Sequence, residues 1–183
     1  MKYTYTRKTH ISYAKRIANT DEIIHLSNLL RQTYKFISDL SISDPLAKRL
    51  KYPQIPPILS ESLAIRLLKN GKILKNKLNN YSFNFGGNVA DILATFGEET
   101  IKIEVKATGA KAFQYFSDKD TDADYIIWLH FGEFFSKAED LPIEVYLISK
   151  PKRYFPNHKK ITLPVVKRIV VDIEETKITL SNI

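Results

Sequence analysis

From Ile101 to Thr108 apolar and polar residues alternate without interruption. Ile101, Ile103, Val105 and Ala107 point one way, and Lys102, Glu104, Lys106 and Thr108 the other. That is the two-residue period of a strand with one buried face. Just upstream, Val89 to Phe96 is apolar and built of small residues, with Asp91 as its lone charge. Gly97 and two glutamates between Phe96 and Thr100 predict a hairpin connection, so the two runs fold back on each other. Asp91 then comes beside the face that carries Glu104 and Lys106, which lie roughly 7 Å apart along the strand. Gly86 and Gly87 precede the first run, where a backbone or ligand can approach closely.

Helical spacing dominates the N-terminal half. Ile23, Leu26, Leu30, Tyr34 and Ile37 predict one helix with a single apolar face, capped by Thr20 and ending near Leu40. Asp21 and Glu22 suit its positive end. Leu63, Leu67, Leu68 and Leu74 predict a second helix, with Ser60 as cap, Glu61 in the first turn and Asn70-Gly71 at its end or a kink. Between them Ser41–Leu59 holds four prolines and reads as irregular, with a short turn near Leu46–Leu50. A further helix is expected over Ile11–Ala18, behind an arm carrying Tyr3, Tyr5, Arg7 and Lys8.

Past Gly109, a short helix carrying Gln114 is expected over Ala110–Phe116. The acidic run Asp118–Asp124 lacks the glycine and terminal glutamate of a calcium loop and reads as a solvated turn. Tyr125–Phe131 is continuously apolar, as a strand buried on both faces would be. Another strand is expected over Ile143–Ile148, with a loop or helical turn over Glu133–Asp140 before it. Two alternating runs, Arg168–Ile173 and Lys177–Leu180, close the chain about a Glu174–Thr176 turn. These elements make an α/β domain of one unit, with an N-terminal helical region over 1–58 and a core over 59–183.

Composition narrows the chemistry. The 183 residues are 44% hydrophobic and 26% charged, enough for one sizeable core. No cysteine is present, which excludes disulfides, thiol catalysis and thiolate metal sites and fits a reducing, cytoplasmic setting. MKYTYTRKTH has no apolar stretch of the kind a secretory signal needs, and no run approaches the length of a membrane span. The net charge of +8 favours a polyanionic partner. Phosphate-loop, dinucleotide, G-x-S-x-G and H-E-x-x-H patterns are all missing, and the four histidines are scattered.

Two carboxylates and an ammonium on one sheet surface suit metal-assisted phosphodiester chemistry. Carboxylates about 4 Å apart repel by roughly 4 kcal/mol at an effective dielectric near 20, and a divalent cation between them removes the conflict. Hard oxygen ligands favour Mg²⁺ or Mn²⁺ over zinc. Glu104 and Lys106 also read as an ordinary surface pair on a half-exposed strand, and Glu61 reads equally as a complement to its helix dipole.

Asp91, twelve intervening residues and then Glu104-Val105-Lys106 resembles the signature of the PD-(D/E)xK nuclease superfamily, most closely its short Type II restriction endonucleases. Ala90 stands where the motif has proline. The resemblance spans Ser60–Pro151. It implies a restriction-endonuclease-like central mixed sheet flanked by helices, with the motif on a hairpin. It also implies that Asp91 and Glu104 bind Mg²⁺, with the Val105 carbonyl as a further ligand. Lys106 would serve the attacking water, and Glu61 would complete the site.

The expected function is hydrolysis of double-stranded DNA at a short specific sequence by a cytoplasmic, prokaryotic homodimer. Lys72 and Lys75 would contact phosphates. Arg153, Asn157 and Lys159, in the basic stretch Lys150–Lys160, would reach the duplex as a DNA-contacting loop or else form a solvated connection. Alternatives are a structure-selective or nicking endonuclease, and a non-catalytic DNA-binding protein on the same scaffold. Removing the Asp91 or Glu104 carboxylate is expected to abolish cutting and spare the fold, because both are expected on an exposed sheet face.

Overall fold

A computed structural model describes residues 16–182, other than 76, 111–112, 138–139 and 157–159. The N-terminal arm, most of the helix expected over Ile11–Ala18, and both Asn157 and Lys159 lie outside the described residues. In chain order the elements are α1 (Thr20–Ser43), α2 (Pro57–Lys69), β1 (Ser82–Phe85), β2 (Ile92–Phe96), β3 (Glu99–Thr108), β4 (Phe113–Tyr115), α3 (Asp118–Thr121), β5 (Tyr125–His130), β6 (Ile143–Ser149), β7 (Lys160–Thr162), α4 (Leu163–Ile169) and β8 (Glu174–Ile178). Short 3-10 helices lie at Pro45–Arg49, Pro151–Arg153 and Leu180–Asn182.

α1 is capped one residue earlier than expected, by Asn19. Its side chain accepts from Glu22 N at 2.9 Å while the Glu22 carboxylate accepts from Asn19 N at 2.8 Å. This reciprocal box needs an acceptor side chain three residues after the cap, which Asn19 has in Glu22 and Thr20, with Ile23 at that place, lacks. Ile23, Leu30, Tyr34 and Ile37 form the buried face, and the helix runs on to Ser43. α2 opens at Pro57, whose fixed φ suits a first helical position, rather than behind Ser60. Glu61 therefore sits in the second turn. Asn70 ends the helix, with Gly71 at φ +60 just beyond it.

Six strands form one mixed sheet in the order β1-β2-β3-β5-β6-β8. β3 and β5 are parallel and every other pairing in it is antiparallel. α1 and α2 cover one face, where Leu63, Ile65 and Leu67 join Ile92, Ile103, Ile127 and Leu129 in a single buried cluster. The other face of β5 and β6 packs Ile126, Trp128, Tyr146 and Ile148 against Phe116, Phe155, Leu163 and Val166. β5 is thus enclosed on both sides, which is why its sequence is apolar without alternation. At about 1.5–3 kcal/mol for each large side chain removed from water, its four central residues anchor both layers.

Three expectations fail locally. The described residues of Ala110–Phe116 hold no helix; Phe113–Tyr115 pairs instead with β7 as a small two-stranded sheet. Arg168–Ile173 is not a strand, because Pro164 in the first turn starts α4, which continues to Ile169. Glu174–Thr176 is not a turn but the start of β8, an edge strand whose charges face solvent while its backbone pairs with β6. No helix among the described residues is long and apolar enough to cross a membrane.

Candidate active site

The β2–β3 hairpin sets the geometry. Phe96 pairs with Glu99 across a two-residue turn whose first residue, Gly97, takes φ +59. The same register pairs Ile92 with Ile103, so one step further Asp91 falls opposite Glu104. Asp91 lies just before β2 rather than within a strand beginning at Val89. The chain there makes a tight loop in which Gly86 N donates to the Asp91 carbonyl at 3.1 Å and Val89 N to the Gly86 carbonyl at 3.1 Å. A Cβ on Gly86 would stand 2.6 Å from the Ala90 carbonyl oxygen, so this approach requires glycine.

Because β2 begins at Ile92, the second half of β3 has no strand beside it on that edge. The carbonyls of Lys102 and Thr108 bond to Asp124 N and Phe131 N on the β5 side, at 3.0 and 2.7 Å. Peptide groups alternate along a strand, so those of residues 103, 105 and 107 face the opposite edge. There Val105 N donates to Asp91 Oδ2 at 2.8 Å, and the Ala107 carbonyl accepts from Gln114 Nε2 at 2.7 Å. The Val105 carbonyl is turned to this same edge.

The charges that meet here come from the hairpin and from α3. Lys119 Nζ stands 3.1 Å from Glu104 Oε1 and 3.5 Å from Asp91 Oδ1. Lys106, on the same face as Glu104, pairs with Asp120 at 2.6 Å. Glu104 is only 1% exposed, and the Lys119 ammonium is the one group that reaches its buried Oε1 among the described residues. Burial first, then the neighbouring Asp91 charge, push the Glu104 carboxyl up to about 7 in spite of Lys119. Burial also pushes the Asp120 carboxyl up, but Lys106 and the Ser117 backbone N–H outweigh it and hold it below its usual range. Lys119 is lowered by burial and raised more by Glu104 and Asp91, for a net rise.

α3 owes its placement to Ser117, whose side chain caps Asp120 N while Asp120 Oδ2 accepts from Ser117 N at 2.7 Å. Its far end is tied to β3 by Asp124, which accepts from Lys102 N at 2.8 Å. The run Asp118–Asp124 is therefore not a solvated turn. Lys119 and Asp120 were missed in the sequence, although Ser117-x-x-Asp120 is the signature of a capping box.

Asp91 and Glu104 are brought together as expected, with Lys106 on the same face. The exposed surface expected for the carboxylates is not found at Glu104, because α3 covers it. Glu61 is buried on α2, whose apolar residues meet Ile103 and Val105 from the opposite face of the sheet. No group of three or more His, Cys, Asp or Glu placed to share a metal occurs among the described residues, so Glu61 does not join Asp91 and Glu104 in one. Lys72 and Lys75 are exposed beyond α2, in the layer on that face. Arg153 is exposed on the other layer, stacked on Tyr154 at 5.6 Å and following Lys152, which pairs with Asp122 at 2.6 Å.

A buried carboxylate oxygen met only by an ammonium, beside a second carboxylate that shares it, is a donor set that fits a small hard divalent ion. The chain matches no protein-family model, no curated protein and no solved structure.

Proposed function

We propose that the protein is a Mg²⁺-dependent endonuclease of the PD-(D/E)xK kind, cutting double-stranded DNA as a Type II restriction enzyme does. One observation carries this reading: the hairpin register sets the Asp91 and Glu104 carboxylates side by side with a single cation shared between them. Their position at the start of β2 and on the neighbouring β3, in a mixed sheet with helices beside it, is compatible with the restriction-endonuclease-like fold that the motif implies.

Asp91 and Glu104, with the Val105 carbonyl, would hold Mg²⁺, or Mn²⁺ in its place. Such an ion, when bound, supplies positive charge for a phosphate oxygen and acidity for a water. The chain's own groups do the rest. The Val105 N–H fixes the rotamer of Asp91 through Oδ2 and leaves Oδ1 on the side of Glu104. Lys106 presents an ammonium two residues along the same face, where it can donate to a phosphate oxygen or orient the attacking water. Asp120 holds that ammonium in place. Gln114 closes the Ala107 carbonyl, so the open edge of β3 is left to the Val105 peptide, whose N–H meets Asp91.

Cutting both strands of a symmetric site calls for two such centres, hence a homodimer. Incubation of plasmid DNA with Mg²⁺ tests the reading. Discrete fragments are expected from the wild type, and at least a thousandfold slower cutting from Asp91→Asn and Glu104→Gln. Open circles alone would indicate a nicking enzyme, and branched DNA cut before linear duplex a structure-selective one. Binding without cleavage by the wild type would rule the nuclease out.

A further inference from the structure

Two successive residues of α3 answer the three charges at the hairpin with the opposite sign. Lys119 answers the two carboxylates and Asp120 answers the Lys106 ammonium. The turn that carries them is tied down. Ser117 caps it, Thr121 Oγ1 donates back to the Ser117 and Asp118 carbonyls at 3.3 and 3.1 Å, and Asp122 pairs with Lys152 at 2.6 Å. Asp124 clamps Lys102 through both its backbone N–H and its carboxylate. The Lys119 side chain itself is not enclosed: it is 40% exposed, against 4% for Asp120.

We propose that Lys119 occupies the cation position of the site, and that a divalent ion enters by displacing the Lys119 ammonium while α3 stays in place. This rests on the reading of Asp91 and Glu104 as metal ligands. The ammonium bridges one oxygen of each carboxylate, and no other donor reaches Glu104 Oε1. Four flexible methylenes let Lys119 swing to solvent by rotation alone. Asp120 keeps its hold on Lys106 throughout, so the exchange alters the charge between the carboxylates without disturbing the second ammonium. Lys119 and the ion compete for one place, so each weakens the other's hold to the same degree.

Mn²⁺ binding to the full chain, followed through the electron paramagnetic resonance of the free ion, tests this. Lys119→Met is expected to bind Mn²⁺ on the order of tenfold more tightly than wild type, and its metal-free form to melt lower. In the wild type, acetylation of Lys119 read by mass spectrometry is expected to speed up several-fold on saturation with Mn²⁺. That second measurement needs no variant to fold. Equal or weaker Mn²⁺ binding by Lys119→Met, or acetylation indifferent to Mn²⁺, overturns the displacement even if Asp91→Asn still abolishes binding. Wild type and Lys119→Met that both take up no Mn²⁺ would instead overturn the metal-site reading, and the displacement with it.

Discussion

Glu104 is held in a place that suits a neutral acid better than a carboxylate. Its folded value near 7 lies above the ordinary 4.5, so the metal-free fold binds this proton more tightly than the unfolded chain does. The resulting stabilisation is complete below about pH 4.5 and is lost as the pH rises through 7. It amounts to about 3 kcal/mol across that window. Melting of the protein in chelator is therefore expected to fall from pH 5 to pH 8 more steeply than that of Glu104→Gln, with saturating Mg²⁺ flattening the wild-type curve. Parallel curves for the two proteins would show that Glu104 does not carry the effect. This burial was not legible in the alternation of β3, which marks Glu104 only as facing away from Ile103 and Val105. What covers that face comes from residues more than a dozen positions further on.

At the scale of elements, the hairpin was largely legible and its surroundings were not. Gly97 between two runs of suitable period identified the turn, and the turn fixes the pairing of Asp91 with Glu104. β4 was not legible and β8 only at Lys177 and Ile178, because pairing with β7 and with β6 decides them rather than any pattern of their own. α3 is too short for periodicity to show, and only its cap betrays it. The loop from Gly86 to Asp91 determines where β2 begins, and with it where the Asp91 carboxylate points. Gly86→Ala puts a methyl group 2.6 Å from the Ala90 carbonyl and 3.0 Å from Leu93 Cγ, so backbone must move. A loss of about 1–3 kcal/mol in denaturant unfolding is expected. Cleavage is expected to fall by more than that destabilisation accounts for, on the order of a hundredfold, since a displacement near 1 Å is enough to misalign reacting groups. A destabilised variant that still cuts at the wild-type rate would show that the loop does not position the site.

Across the whole molecule, the sheet separates two layers that both carry cations, with Lys72 and Lys75 on one and Arg153 on the other. A duplex engaging both layers would lose counterions at each. The logarithm of its affinity, measured by anisotropy with Ca²⁺ in place of Mg²⁺, is expected to fall linearly with the logarithm of salt. The slope should ease by about 0.9 for each of Lys72, Lys75 and Arg153 changed to alanine. A slope altered by Arg153 alone would confine DNA to one side. The late start of β2 has a consequence of another kind. Were β2 four residues longer at its N-terminal end, the peptide groups of Val105 and Ala107 would find ordinary partners and the weave of the sheet would close. Every charged side chain of the site could remain, yet nothing would open onto them. Completeness of the sheet and chemistry at its surface are thus rivals here, and a redesign aimed only at durability would tend toward a sturdier but inert protein.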